Sequence, residues 1–194
     1  MVMSIFLRLS ALLGLLFVSP LILISSIFIF LEDGMPIFFV QNRIGKNEKV
    51  FKLFKIRTML RGTPSLGTHE INQSQNLRFG SILRTLKIDE LPQILNFIID
   101  DISLVGPRPG LENQKELLIY RRIHKIFRVK PGITGLSQVL GYDMSNPEVL
   151  SKIDNLYIEK KSISLDVYIF FATFMPFLRR NLKQKFKDKI NKII

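Results

Sequence analysis

The chain has 194 residues, enough for one domain of ordinary size, and its 28 Lys and Arg against 16 Asp and Glu leave a formal charge of +12. Such a composition seeks anions, whether phosphates, nucleic acid or an acidic membrane surface. There is no cysteine, which excludes disulfides, thiolate zinc sites and a cysteine nucleophile; His69 and His124 are the only histidines and have no partner at helical or hairpin spacing, so no transition-metal site is expected.

Leu9 to Leu31 is a run of 23 residues without a charge, bounded by Arg8 and by Glu32 and Asp33. As a straight helix it would be roughly 34 Å long, enough to cross a hydrocarbon core of about 30 Å. It is too long for a cleaved signal peptide, and no small-x-small cleavage site follows it. Ser19 and Pro20 lie near its middle. The proline removes one backbone bond and clashes with the carbonyl of Leu16, while the Ser19 hydroxyl can bond back to the preceding turn, so a kink or break is expected there. These residues leave two topologies open: a bent spanning helix, which the length favours, and a re-entrant helix whose ends emerge on the same side. Arg8 is the only charged residue before Glu32, and the basic remainder belongs on the cytoplasmic side, where Lys and Arg are retained and the leaflet is anionic. The expected organisation is a membrane helix at 1–33 and a cytoplasmic domain at 34–194.

Beyond the turn at Gly34 to Pro36, the pattern from Ile37 to Met59 predicts a β-hairpin around a turn at 45–47. In its second strand Val50, Lys52, Phe54 and Ile56 alternate with Phe51, Leu53, Lys55 and Arg57. Lys55 and Arg57 are candidates for a pyrophosphate clamp, against the alternative of two solvated surface charges. Leu60 to Leu77 lacks an apolar period and reads as a long loop, a candidate lid. Phe79, Ile82, Leu83 and Leu86 resume a helical period that leads into the stretch Arg84 to Pro109, around which the chain is organised.

There, Leu91, Ile94, Leu95 and Ile98 have the spacing of one buried helix face, and Asp89, Glu90 and Pro92 sit at or just ahead of its start. Two adjacent carboxylates then fall in the first turn, at the positive end of the helix dipole, where Asp89 is either a simple N-cap or a reactive group. Gly106-Pro107-Arg108-Pro109 cannot be helical, and its prolines hold Arg108 on a stiff extended backbone suited to bidentate phosphate binding.

From Glu112 to Phe127 the pattern predicts an amphipathic helix, with Tyr120, Ile123 and Phe127 on one side. The loop at 130–135 has two glycines, whose amides can approach an anion closely, although such turns are commonplace. Leu136 to Leu140 reads as a short strand, and Asn146 to Glu159 as a helix carrying Asp154 and Tyr157. Leu165 to Leu178 is apolar but too short to span. Beyond it, Leu182, Phe186, Ile190 and Ile193 form a stripe among seven Lys and Arg, the pattern of a helix lying in the headgroup region, although a basic nucleic-acid-binding tail has a similar composition. The adjoining apolar segment favours the membrane.

Four motifs in order, KVFKLFKIRTM at 49–59, KIDELPQ at 87–93, SLVGPRP at 103–109 and VKPGITGLSQV at 129–139, resemble those of the bacterial sugar transferases, the small monotopic polyprenyl-phosphate phosphoglycosyl transferases. The resemblance implies an enzyme at the cytoplasmic face of the bacterial inner membrane that moves a sugar 1-phosphate from a UDP-sugar to undecaprenyl phosphate and releases UMP. That is the first membrane step in assembling O-antigen, capsule or a glycoprotein glycan. It implies a predominantly helical α+β fold with a re-entrant helix-break-helix at 1–33, a β-hairpin and several amphipathic helices at the membrane interface. This reverses the preference for a spanning helix. Small members of the family lack the further transmembrane helices of larger relatives, and the chain is expected to be of that kind.

By the same resemblance Asp89 is the nucleophile and Glu90 its partner carboxylate; Lys55, Arg57, Arg84 and Arg108 bind the donor; and magnesium is the cofactor, with Asp89 its expected ligand. An ionised carboxylate can attack the sugar-bearing phosphorus, and the resulting acyl phosphate can then be attacked by the lipid phosphate. Two features depart from the family pattern: Lys87 stands ahead of the dyad where many relatives have a small polar residue, and Gly141-Tyr142-Asp143 replaces a frequent Gly-Arg-Asn. Both bear on sugar choice. A non-enzymatic membrane adaptor would have no need of Asp89, Glu90 and Arg108 in this arrangement, and a nucleic-acid binder would have no need of Leu9 to Leu31, so no nucleic-acid partner is expected.

Overall fold

The computed structural model describes residues 2–64 and 75–193, with side chains from residue 7 onward; most of the expected lid, with His69, lies outside the described residues. The chain forms two compact units, one of Met1–Asn42 and Lys52–Asp101, the other of Arg43–Phe51 and Ile102–Ile194.

The first unit begins with helix α1 (Val2–Asp33), which contains Pro20. Proline has no amide hydrogen, so the Leu16 carbonyl loses its helical donor, and the Ser19 hydroxyl donates to that oxygen at 2.8 Å instead. The two helices expected on either side of the dipeptide are therefore one, because the hydroxyl replaces the missing bond. Leu16, Phe17 and Leu31 are exposed along α1, while Ser25, Ser26 and Ile29 are buried. Ile29 joins Ile56, Leu77 and Leu83 in the core of this unit, with Phe28 stacked on Phe79 at 4.3 Å.

Strands β1 (Phe38–Ile44) and β2 (Val50–Ile56) form the expected hairpin, turning through Lys46–Glu48. Helix α2 (Arg78–Thr85) follows, then a short 3-10 turn at Ile88–Glu90 and helix α3 (Gln93–Ile98). The buried face of α3 corrects the sequence reading. Leu95 is 40% exposed, whereas Gln93 and Asn96 are 3% and 0% exposed. The reason lies in the sheet, which among the described residues has two strands and leaves one edge of β2 without a strand partner. Asn96 supplies one: its Nδ2 donates to Lys52 O at 2.6 Å and its Oδ1 accepts from Phe54 N at 3.1 Å.

In the second unit, strands β3 (Ser103–Val105) and β4 (Gly132–Thr134) pair in parallel, Ser103 opposite Gly132 and Val105 opposite Thr134. A Cβ on Gly132 would lie 2.1 Å from Gly106 N, so only glycine admits this approach. Helices α4 (Lys115–Ile123), α5 (Leu136–Leu140), α6 (Pro147–Lys160), α7 (Ile163–Phe174) and α8 (Pro176–Asn191) complete the unit. Asn146 caps α6, its Oδ1 accepting from Val149 N at 3.1 Å.

Three expectations change here. The amphipathic helix ends at Ile123, since Lys125 adopts a left-handed φ of 53° before a short 3-10 turn, and it buries Leu117 and Arg121 rather than Tyr120 and Ile123. Leu136–Leu140 is helical rather than extended, because the segment 132–134 has taken the place beside β3. The Leu182, Phe186 and Ile190 stripe of α8 packs inward, into a core with Val139, Ile153 and Ile169; exposed apolar residues include Ile163, Val167, Phe170, Phe171 and Phe174 of α7 and Phe177 at the start of α8.

Candidate active site

The site is assembled in the first unit from β2, α2 and the turn between α2 and α3. Lys87 takes a left-handed φ of 61°, which ends α2 and reverses the chain into the turn Ile88–Glu90. Asp89, in the middle of that turn, is 6% exposed. It is not an N-cap of α3: that position is Pro92.

Lys55 Nζ on β2 lies 3.4 Å from Glu90 Oε1, with both side chains largely buried. Arg84 approaches from α2. Its Nε donates to Thr58 Oγ1 at 2.7 Å and its Nη1 to Asn76 Oδ1 at 2.9 Å. Gly80, one turn earlier on the same face, makes this possible: a Cβ there would sit 2.5 Å from Thr58 O, so α2 lies directly against the chain leaving β2. Asn76 is held at the same place, with Leu77 N donating to Thr58 O at 3.0 Å.

Burial pushes the Asp89 carboxyl above its ordinary range, and Glu90 adds to the shift, while Lys55 most strongly, then Arg84 and Lys87, oppose it. Arg84 is shifted downward by burial and held up by Asp89. A desolvated carboxylate facing cations can serve as a nucleophile, a proton acceptor or a ligand to a hard cation.

Of the cations singled out in the sequence, Lys55 and Arg84 share the electrostatic environment of Asp89. Arg57 is also in this unit but is occupied at the end of α1: it is buried, pairs with Asp33, and donates to Pro36 O at 2.6 Å, Gly34 O at 2.6 Å and Met59 O at 3.3 Å. Arg108 belongs to the second unit, half-buried between buried Pro107 and Pro109. Thr58, Asn76 and Asn96 are polar residues of the site's frame that sequence reasoning missed. A short polar side chain carries no periodic signal, and each works through a partner distant in sequence.

A profile of the bacterial sugar transferase family matches residues 1–180. The chain belongs to this family. A relative from Aeromonas hydrophila, the UDP-N-acetylgalactosamine-undecaprenyl-phosphate N-acetylgalactosaminephosphotransferase, is 36% identical over 172 residues, covering 82% of this chain and 40% of the relative. The sugar transferase EpsL of Bacillus subtilis is 37% identical over 155 residues, 80% of this chain and 76% of that protein. The UDP-glucose:undecaprenyl-phosphate glucose-1-phosphate transferase of Xanthomonas campestris is 34% identical over 178 residues, 86% of this chain and 36% of the relative. The chain therefore spans most of EpsL but less than half of the length of the other two relatives.

Proposed function

We propose that this protein is a phosphoglycosyl transferase that moves a sugar 1-phosphate from a UDP-sugar to undecaprenyl phosphate through an aspartyl-phosphosugar intermediate. The reaction would be the first membrane step of glycoconjugate assembly. The observation that carries the reading is Asp89, buried on a tight turn beside the Lys55–Glu90 pair and a fixed Arg84. The names of the Aeromonas and Xanthomonas relatives support the donor and acceptor classes. In the first step a carboxylate oxygen of Asp89 bonds to the sugar-bearing phosphorus as the bond from that phosphorus to the UMP oxygen breaks. In the second, an oxygen of the lipid phosphate attacks the same phosphorus and the Asp89 carboxylate leaves. Lys55 and Arg84 offset the charge that accumulates when an anion attacks a pyrophosphate.

Among the described residues no group of three or more His, Asp or Glu is gathered for a metal. Asp89 and Glu90 nonetheless suit magnesium, which is commonly held by one or two carboxylates together with substrate phosphates. They would hold it, and it would neutralise the donor pyrophosphate.

Purified protein given undecaprenyl phosphate and a panel of UDP-sugars is expected to release UMP with one or a few donors, and intact-mass measurement without acceptor is expected to show one sugar phosphate on Asp89. Turnover without any adduct would favour direct transfer.

The same proposal places the protein at the cytoplasmic face of the inner membrane with α1 re-entrant. Two contacts support that topology: Arg8 pairs with Asp100, and Asp33 pairs with Arg57, so residues near both ends of the apolar run reach the same unit. The exposed aromatic face of α7 suits the lipid interface. Because the chain has no cysteine, Ser4→Cys gives one labelling site. In intact cells an impermeant thiol reagent is expected to miss it and to react after lysis; labelling from outside would show that α1 spans.

A further inference from the structure

The last turn of α1 carries Glu32 and Asp33 and no basic residue. That is the negative end of the helix dipole, where carboxylates are disfavoured, so their partners must lie outside the helix. Glu32 takes the first two amides of α2: its Oε1 accepts from Arg78 N at 2.6 Å and its Oε2 from Phe79 N at 3.1 Å. The residue at the N-cap of α2 is Leu77, which has no side-chain acceptor. Glu32 therefore caps α2 from a separate helix, and the stacking of Phe28 on Phe79 joins the same two elements one turn earlier. Asp33 accepts from Arg61 N at 3.1 Å and pairs with Arg57, immediately beyond β2.

Each contact leads to one cation of the site. On α2, Gly80 and Arg84 lie against Thr58, and on β2 Lys55 stands two residues before Arg57.

We propose that Glu32 and Asp33 are positioning residues: the final turn of the membrane helix clamps the start of α2 and the end of β2, and so sets Arg84 and Lys55 against the Asp89–Glu90 turn. Neither carboxylate touches substrate. The proposal rests on the reading of Asp89 as nucleophile, and it makes the membrane helix part of the catalytic frame as well as an anchor.

Rapid-quench measurement of UMP release tests it, using the full-length enzyme in nanodiscs with the UDP-sugar it turns over and no acceptor. Burst amplitude counts competent sites, and the burst rate constant reports how well they are arranged. Glu32→Ala and Asp33→Ala are each expected to slow the burst on the order of 10- to 100-fold at near wild-type amplitude, the size of effect that follows from a small displacement of a charged group. Glu32→Gln keeps one of the two acceptor oxygens and is expected to recover part of the rate. An unchanged rate constant overturns the proposal, whether the amplitude holds or falls, since a fall alone marks a merely structural role. Absence of a burst in the wild type would instead refute the covalent reading. The clamp is then judged by turnover with acceptor per folded enzyme, which must drop in Glu32→Ala and return in part in Glu32→Gln.

Discussion

Asp89→Asn is expected to lower UMP release on the order of 10⁴-fold or more, the scale seen when a group in direct contact with the reacting atoms is removed. An amide oxygen is a far weaker nucleophile than a carboxylate and does not yield a stable acyl phosphate. The same substitution is expected to raise the melting temperature. Burial pushes the Asp89 carboxyl above its ordinary value of 3.8, so at neutral pH the folded state bears the cost of a desolvated charge that the amide does not carry. That cost shrinks as pH falls through the folded-state pKa toward the unfolded one, so the stability gap between variant and wild type should be widest at neutral pH and close in acid. Thermal unfolding in chelator, followed across pH, measures it. Ordinary turnover in the variant would remove Asp89 as nucleophile, and a lower melting temperature at neutral pH would contradict the burial cost.

The second large effect is on stability. Arg121 and Asp154 are each 2% exposed, with Nη2 to Oδ2 at 3.0 Å, and Ser137 Oγ donates to Asp154 Oδ1 at 2.8 Å. Arg121→Met leaves Asp154 buried without its cation and is expected to cost about 3–5 kcal/mol, whereas Arg121→Met with Asp154→Leu is expected to recover most of that loss, because a desolvated ion pair contributes little beyond a well-packed apolar one. Denaturant unfolding of the three proteins distinguishes the cases. A single variant as stable as wild type would show that the carboxylate is relieved by another route, either by taking up a proton or by a partner other than Arg121.

The amphipathic pattern around Arg121 shows why part of the core was hidden in the sequence. Periodicity groups residues by polarity, and it places Arg121 with Arg122 and Lys125 beside the apolar side of Tyr120, Ile123 and Phe127. The structure separates them: Arg122 stays outside with Glu48, and Arg121 turns inward because Asp154, 33 residues later, waits on α6. The α3 face failed for a related reason. Leu91, Ile94, Leu95 and Ile98 have the right spacing, yet the unpaired edge of β2 required hydrogen bonds, and Asn96 could supply both.

Local sequence determined what local chemistry governs. The long apolar helix, the hairpin, the Asn146-capped α6 and the family of the chain all follow from runs, alternation and motifs contained within a few dozen residues. The Ser19 bond back to Leu16 belongs with them, since its partner lies within one turn. Tertiary structure decided which charges are occupied and which face the site. Lys55 and Arg57 look alike on the strand pattern, but Lys55 meets Glu90 while Arg57 is held by the Asp33 carboxylate and four backbone carbonyls. A cation's role is set by the acceptors that reach it first, and those acceptors come from segments that only folding brings together.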